Sequence, residues 1–194
     1  MNSKEYAANY LDQCLDTLKS LPLDAIAEMI DTLDQARKRG SQVFLCGNGG
    51  SAGTASHMAN DLGKGSSAIP DGKRFRVISL VDNIPWITAL ANDLDYSEVF
   101  QEQLKNLAQT GDILVAISGS GNSPNVIKAV QWSNENGLST IGLTGVPGGK
   151  LVNLCQLPIQ VNSSHMGQIE DGHFLIQHLV GYFFMEALSK SAKE

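Results

Sequence analysis

Long apolar runs are missing from this 194-residue chain. None is long enough to cross a bilayer. The N-terminus, Met1-Asn2-Ser3-Lys4-Glu5, is polar and lacks the charged-then-apolar layout of a secretory leader. Cysteine is scarce and odd in number: Cys14, Cys46 and Cys155 show no paired, metal-type spacing. That argues against a disulfide framework and for reduced thiols in a cytoplasmic protein. A basic block is absent too, with 14 Lys and Arg against 20 Asp and Glu and a net charge of −6. Duplex nucleic acid needs clustered Lys and Arg on its phosphates, so no direct nucleic-acid binding is expected. A small phosphorylated ligand needs only a local site and remains open.

What is present is an ordinary globular composition, 42% apolar and 18% charged, of a length that suits one domain. Ala7, Leu11, Cys14 and Leu18 recur at helical spacing, as do Leu23, Ile26, Ile30 and Leu33, with Pro22 between the two sets and Gly40 after the second. Residues 1–40 are therefore expected to form a helical hairpin. Five strands are expected at Val43–Cys46, Phe75–Leu80, Ile113–Ser118, Thr140–Thr144 and Leu157–Val161. Most are unbroken apolar runs, as in parallel strands covered on both faces. Helical patterns at Ser51–Leu62, Ser97–Ala108 and Ser123–Asn136 alternate with them. The pattern predicts an α/β fold, a doubly wound five-stranded parallel sheet over 41–165, flanked by helices. Gly63–Lys73 reads as a surface loop. A last helix, about Gln168–Ser189 within segment 166–194, is apolar nearly all round through Phe174, Leu175, Ile176, Leu179, Val180, Tyr182, Phe183, Phe184, Met185 and Leu188. Such a helix must be buried, and a subunit interface that includes Phe184 is the expected place.

Two glycine–serine loops stand where a strand hands over to a helix: Cys46-Gly47-Asn48-Gly49-Gly50-Ser51 and Ser118-Gly119-Ser120-Gly121-Asn122-Ser123-Pro124. Glycine lets backbone turn tightly and approach a ligand. Free amides and the dipole at a helix start favour an anion, and Pro124 suits a first helical turn. In an open α/β sheet, ligands bind at the carboxyl ends of the strands. The plain alternative is a pair of tight connections with no ligand, but both loops carry more hydroxyl and amide donors than a turn needs. Neither has a Gly-Lys-Ser/Thr ending or the Gly-x-Gly-x-x-Gly pattern, so no nucleotide cofactor is expected.

These loops, with Ala91-Asn92-Asp93, Gly111-Asp112-Ile113-Leu114, Asn125-Val126-Ile127-Lys128-Ala129, Leu143-Thr144-Gly145, His173 and His178, resemble the sugar isomerase (SIS) family in its phosphoheptose isomerase branch. The resemblance runs over nearly the whole chain and implies a single flavodoxin-like SIS domain, 1–194. It implies a homotetramer with active sites between subunits. It also implies aldose–ketose interconversion of sedoheptulose 7-phosphate and D-glycero-D-manno-heptose 7-phosphate, a step toward lipopolysaccharide precursors. By resemblance the phosphate belongs at Ser118, Gly119, Ser120 and Ser123. The sugar belongs at Asn48, Gly49, Gly50 and Ser51, at Asn92 and Asp93, and at Glu170. Zn²⁺, bound by some members, would fall to His57, Asp61, Glu170 and His178.

The chain departs from the family in the site. The family's catalytic Glu is Asp61, with Asn60 before it, and its Gln on the last helix is Glu170. An Arg expected shortly after the carboxylate is missing, with Lys64 and Gly65 nearby. Asp is one methylene shorter, and a misplacement of about 1 Å can cost on the order of a hundredfold in rate. Either Asp61 or Glu170 can be the base, with His178 the acid. His57 and Asp61, four apart, share a helix face and can grip an ion or simply bond each other. Glu170 and His178 are eight apart, about 12 Å along a helix. Both cannot ligate one ion from the same straight helix, so two subunits contribute or one of the pair is not a ligand. A second function class remains: a non-enzymatic phosphosugar-binding or adaptor protein, of the kind that associates with the bacterial replication initiator. The four ionisable groups favour the enzyme.

Overall fold

Every residue of strand β1 (Gln42–Gly47) and of β3 (Ile113–Ile117) is buried, which requires cover on both faces of the sheet. The computed structural model, which describes residues 2–187, supplies it. With β2 (Arg76–Ser79), β4 (Ser139–Thr144) and β5 (Leu157–Gln160), the strands form one parallel sheet in the order β2-β1-β3-β4-β5. Successive residues point to opposite faces, so Val43, Leu45, Ile113, Val115 and Ile117 enter one core cluster. Phe44, Cys46, Leu114 and Ala116 enter the other. The first core is closed by α2 (Leu23–Arg39), α3 (Gly50–Gly65) and α8 (Met166–Tyr182). The second is closed by α5 (Gln101–Leu107), α6 (Pro124–Glu135) and the short α7 (Leu151–Leu154).

The chain reverses its direction of travel across the sheet at the β1/β3 boundary, where the last paired residues are Gly47 and Ile117. A crevice opens at such a switch point. Both glycine–serine loops leave the sheet there.

Helix α1 (Ser3–Lys19) begins with a capping box between Asn2 and Glu5. Helix α2 ends on Gly40, whose φ of 78° suits glycine. Of the stripe expected to bury α1, Cys14 is buried but Leu11 is 61% exposed in the single chain. The helix expected to precede β3 is broken, with a 3₁₀ turn at Tyr96–Glu98 and α5 after it. Helix α4 (Ile84–Asp93) was not expected; its Ile87, Leu90 and Ala91 pack on the second core. The surface loop assigned to Gly63–Lys73 starts too early: Gly63–Gly65 finish α3, and Gly65, Ser66 and Ile69 are buried.

The last helix starts at Met166, two residues before the expected Gln168, and α-helical pairing ends at Tyr182, with a π turn over Phe183–Ala187. Leu188 and Ser189 lie outside the described residues. The reading of Phe184 as an interface residue is corrected: it is fully buried within its own chain, its ring 4.8 Å from Phe75. Phe174, Leu179 and Tyr182 form the exposed side of α8.

Helices α3 and α8 pack side by side and parallel. A β-carbon on Gly50 would meet the Glu170 carboxyl at 2.8 Å, one on Gly181 would meet Asp61 Cβ at 3.0 Å, and one on Gly65 would meet Met185 Cγ at 2.5 Å. Each pair is 120 positions apart in the chain, so the register is constant along the seam. Glycine on one side of each contact lets the helices approach closely, and this seam carries the ionisable residues of the site.

Candidate active site

The first loop ends at Gly49, the N-cap of α3, at φ 55° and ψ −121°, a conformation that side chains resist. Beside this helix start stands Glu170, whose carboxyl group sits over Gly50. The protein's own acid thus occupies the favourable anion position at this helix start.

At the second loop the helix start lacks its N-cap side-chain bond, and Asn125 Oδ1 accepts from Val126 N–H instead. Ser123 is the N-cap of α6 with Pro124 in the first turn, yet the Ser123 side chain makes no capping bond. Its hydroxyl lies 3.1 Å from that of the buried Ser118 instead. Ser120 Oγ accepts the amide of Asn122 at 3.2 Å, and its own proton is free to donate. Gly121 has φ 65°, and a β-carbon there would fall 1.8 Å from the Gly148 carbonyl, so only glycine fits. The segment after β4 braces the loop: Gly145 N–H donates to Gly119 O at 3.1 Å and Leu151 N–H to Gly121 O at 3.0 Å. Between the loops lies a cavity of about 140 Å³ lined by Asn48, Ser51, Ile117, Ser118, Gly119, Ser120, Ser123, Met166 and Glu170. Its volume and its hydroxyl donors suit a phosphate group.

Farther along the seam, His57, Asp61 and His178 come together, with one ligand atom from each within 4.8 Å of the others. His57 Nε2 is 3.4 Å from Asp61 Oδ2. The His57 and His178 rings are 5.1 Å apart, and Phe174 packs against both at 5.1 and 4.8 Å. Asp61 is buried. Its Oδ1 accepts from Asn60 Nδ2 at 3.1 Å, while its Oδ2 is buried without a hydrogen-bond partner. A buried carboxylate oxygen left unmatched is costly, and a cation or a substrate hydroxyl would satisfy it.

Not every expected site residue joins these two centres within one chain. Glu170 belongs to the serine cavity and is not in the His57–Asp61–His178 group. Asn92 and Asp93 stand exposed at the end of α4, bonded to each other at 2.8 Å. Asp95 and Tyr96, just beyond them, line a crevice with Asn48 and Ser123. Sequence reasoning missed Tyr96, Asn125, Met166 and Phe174, since none has a residue type that announces chemistry. His165 makes a ring contact with Tyr10. His173 is buried, and burial pushes its pKa down to about 4, offset only in part by the nearby Thr144 carbonyl.

Known proteins resemble this chain in sequence and fold. The SIS domain family matches residues 5–145. Phosphoheptose isomerase of Rhodospirillum rubrum is 38% identical over 168 residues, 84% of this chain and 86% of that protein. That of Aliarcobacter butzleri is 36% identical over 181 residues, 91% and 92% of the two chains. The structure of phosphoheptose isomerase from Neisseria gonorrhoeae superposes with a TM-score of 0.86 at 26% identity, over 94% of this chain and 98% of that one. The family match and the identity over most of both chains show that the chain belongs to the SIS domain family, among the phosphoheptose isomerases.

Proposed function

We propose that this protein interconverts sedoheptulose 7-phosphate and D-glycero-D-manno-heptose 7-phosphate, as a single SIS domain acting in the cytoplasm. The observation that carries the reading is the layout of the α3/α8 seam. An open, hydroxyl-lined cavity lies at its N-terminal end, and a buried acid with two histidines lies two to three turns on. Glu170 and His178 mark those ends on α8, about 12 Å apart. A seven-carbon sugar phosphate, drawn out from phosphate to carbonyl, has a comparable length.

With the phosphate at Ser118, Gly119, Ser120 and Ser123, carbons 1 and 2 lie away from Glu170 and toward Asp61. Asp61 takes the proton from C1 of the ketose, giving a cis-enediol, and returns a proton to C2 of the aldose. His178 serves the oxygens, giving a proton to O2 as O1 loses one. Acid–base catalysis of this kind contributes roughly 10²–10⁴-fold. Asp61's short side chain is compensated by Gly181, which lets α8 come close.

Zn²⁺ fits the same group. His57, Asp61 and His178 are all zinc-ligand types, and the buried Asp61 Oδ2 makes no hydrogen bond, with only His57 Nε2 near it at 3.4 Å. Bound there, the ion would polarise the sugar carbonyl. A fourth ligand from Glu170 would come from another subunit. Metal analysis of the purified protein before and after chelation tests this, and absence of any bound metal from zinc-supplemented protein would refute it. The proposed assembly is a homotetramer covering the exposed faces of α1 and α8. Turnover of sedoheptulose 7-phosphate by the purified protein tests the function itself.

A further inference from the structure

Three segments of the site meet at one hydrogen-bonded knot. Asn48 in the first loop and Asn125 in the first turn of α6 exchange two amide bonds, Asn48 Nδ2 to Asn125 Oδ1 and Asn125 Nδ2 to Asn48 Oδ1, both 2.9 Å. The Tyr96 hydroxyl adds a third, 2.9 Å from Asn48 Oδ1. Asn125 is 1% exposed.

A backbone amide sets the polarity of the whole knot. Val126 N–H can only donate, and it meets Asn125 Oδ1 at 3.0 Å. That fixes which end of the Asn125 amide is oxygen. The Asn48 atom facing that oxygen must be the nitrogen, and the other Asn48 atom must be the oxygen. Tyr96 therefore donates. The Asn48 oxygen is consumed by two protein donors, and one Asn48 N–H has its bond to Asn125. A single N–H of that side chain is left for a sugar, too little for a main binding residue but suited to holding the loops in place.

Tyr96 itself is held. It lies in the 3₁₀ turn Tyr96–Glu98, whose next two residues are pinned by Lys128 of α6: Lys128 Nζ donates to Ser97 Oγ at 2.7 Å and pairs with Glu98. Asp95 Oδ1 caps the same turn by accepting Ser97 N–H at 2.7 Å. The phenol is thus presented by a braced turn, with its ring 54% exposed and its hydroxyl on Asn48.

We infer that Tyr96 and Asn125 are positioning residues, which act through Asn48 to lock the first loop and the start of α3 against the phosphate-facing start of α6. The inference rests on the proposed isomerase reading for its effect on turnover but not for the knot. Loosening the lock shifts one wall of the cavity relative to the other. The ground-state anion tolerates this better than a reaction that depends on alignment.

The test is a double-mutant cycle between Tyr96→Phe, which removes only the hydroxyl, and Asn48→Ala, read in two ways. In urea unfolding, Tyr96→Phe should lower the midpoint in the native background and have no effect beside Asn48→Ala. In turnover of sedoheptulose 7-phosphate, Tyr96→Phe should cut kcat by about tenfold and move KM less than about threefold. Equal effects of Tyr96→Phe in both backgrounds, or native kcat with native stability, would overturn the inference. If the native protein turns nothing over, the isomerase reading falls, and the unfolding cycle still decides whether the knot holds the loops.

Discussion

Glu170 holds its carboxyl group over Gly50, 2.8 Å from where a β-carbon would stand. The start of α3 thus has a carboxyl group beside it, which agrees with the proposal that the substrate's phosphate binds at the start of α6. The same carboxyl group lines the serine cavity, so a phosphate bound there meets a like charge. Glu170→Gln should tighten binding of inorganic phosphate on the order of tenfold, by calorimetry at neutral pH. It should leave turnover within a few-fold if Asp61 is the base, as proposed. Lost turnover in a variant that binds phosphate more tightly would transfer the base role to Glu170.

The serine hydroxyls are expected to carry the phosphate. Replacing Ser120 and Ser123 together by Ala removes two donors at the start of α6. Sugar-phosphate affinity should fall by about 1–3 kcal/mol, the range for bonds to a charged group. Calorimetry that finds native affinity in the double variant would move the phosphate elsewhere.

His173 ties stability to pH. Its ordinary pKa near 6.5 is lowered to about 4 by burial among apolar groups, and neither ring nitrogen makes a well-aligned hydrogen bond. The unfolded chain binds this proton first as pH falls. The native state therefore keeps its full margin above about pH 6.5 and loses it on the way down to about 4, by on the order of 3 kcal/mol. Urea midpoints across that range should slope less in His173→Leu than in the native protein. Parallel slopes would exclude His173 as the source.

Phe184 and Leu11 separate core from interface. Phe184 packs between Phe75 and Phe183, ring centroids 4.8 and 5.4 Å away, and Phe184→Ala should cost about 3–5 kcal/mol of stability. Leu11, on the open face of α1, should tolerate Leu11→Asp in circular dichroism, while the proposed tetramer should dissociate in light scattering. A monomeric native protein at micromolar concentration would contradict the proposed assembly.

The sheet was legible because Val43–Cys46 of β1 and Ile113–Ile117 of β3 are short unbroken apolar runs, as strands covered on both faces show. The loops were legible because their hydroxyls exceed what a turn needs. Helix α4 was missed although Ile87, Leu90 and Ala91 recur at helical spacing and pack, partly buried, on the second core. His57 and Asp61 could be paired from their spacing of four, but His178 joins them only through the packing of α3 on α8. Phe184 was misread because an all-apolar helix cannot by itself say which side meets its own core. The Asn48–Asn125–Tyr96 knot involves residues 77 and 48 positions apart, a proximity created by the switch point between β1 and β3.

The central claim is that a proton moves between C1 and C2 of a heptose phosphate. The most direct test is to incubate the purified protein with sedoheptulose 7-phosphate in heavy water and follow the products by nuclear magnetic resonance. The account predicts D-glycero-D-manno-heptose 7-phosphate with deuterium at C2, and loss of conversion in Asp61→Asn. Binding of the sugar phosphate with no conversion would contradict it and leave a binding protein, while conversion with no deuterium at C1 or C2 even after many reversible turnovers would contradict proton transfer through the enediol.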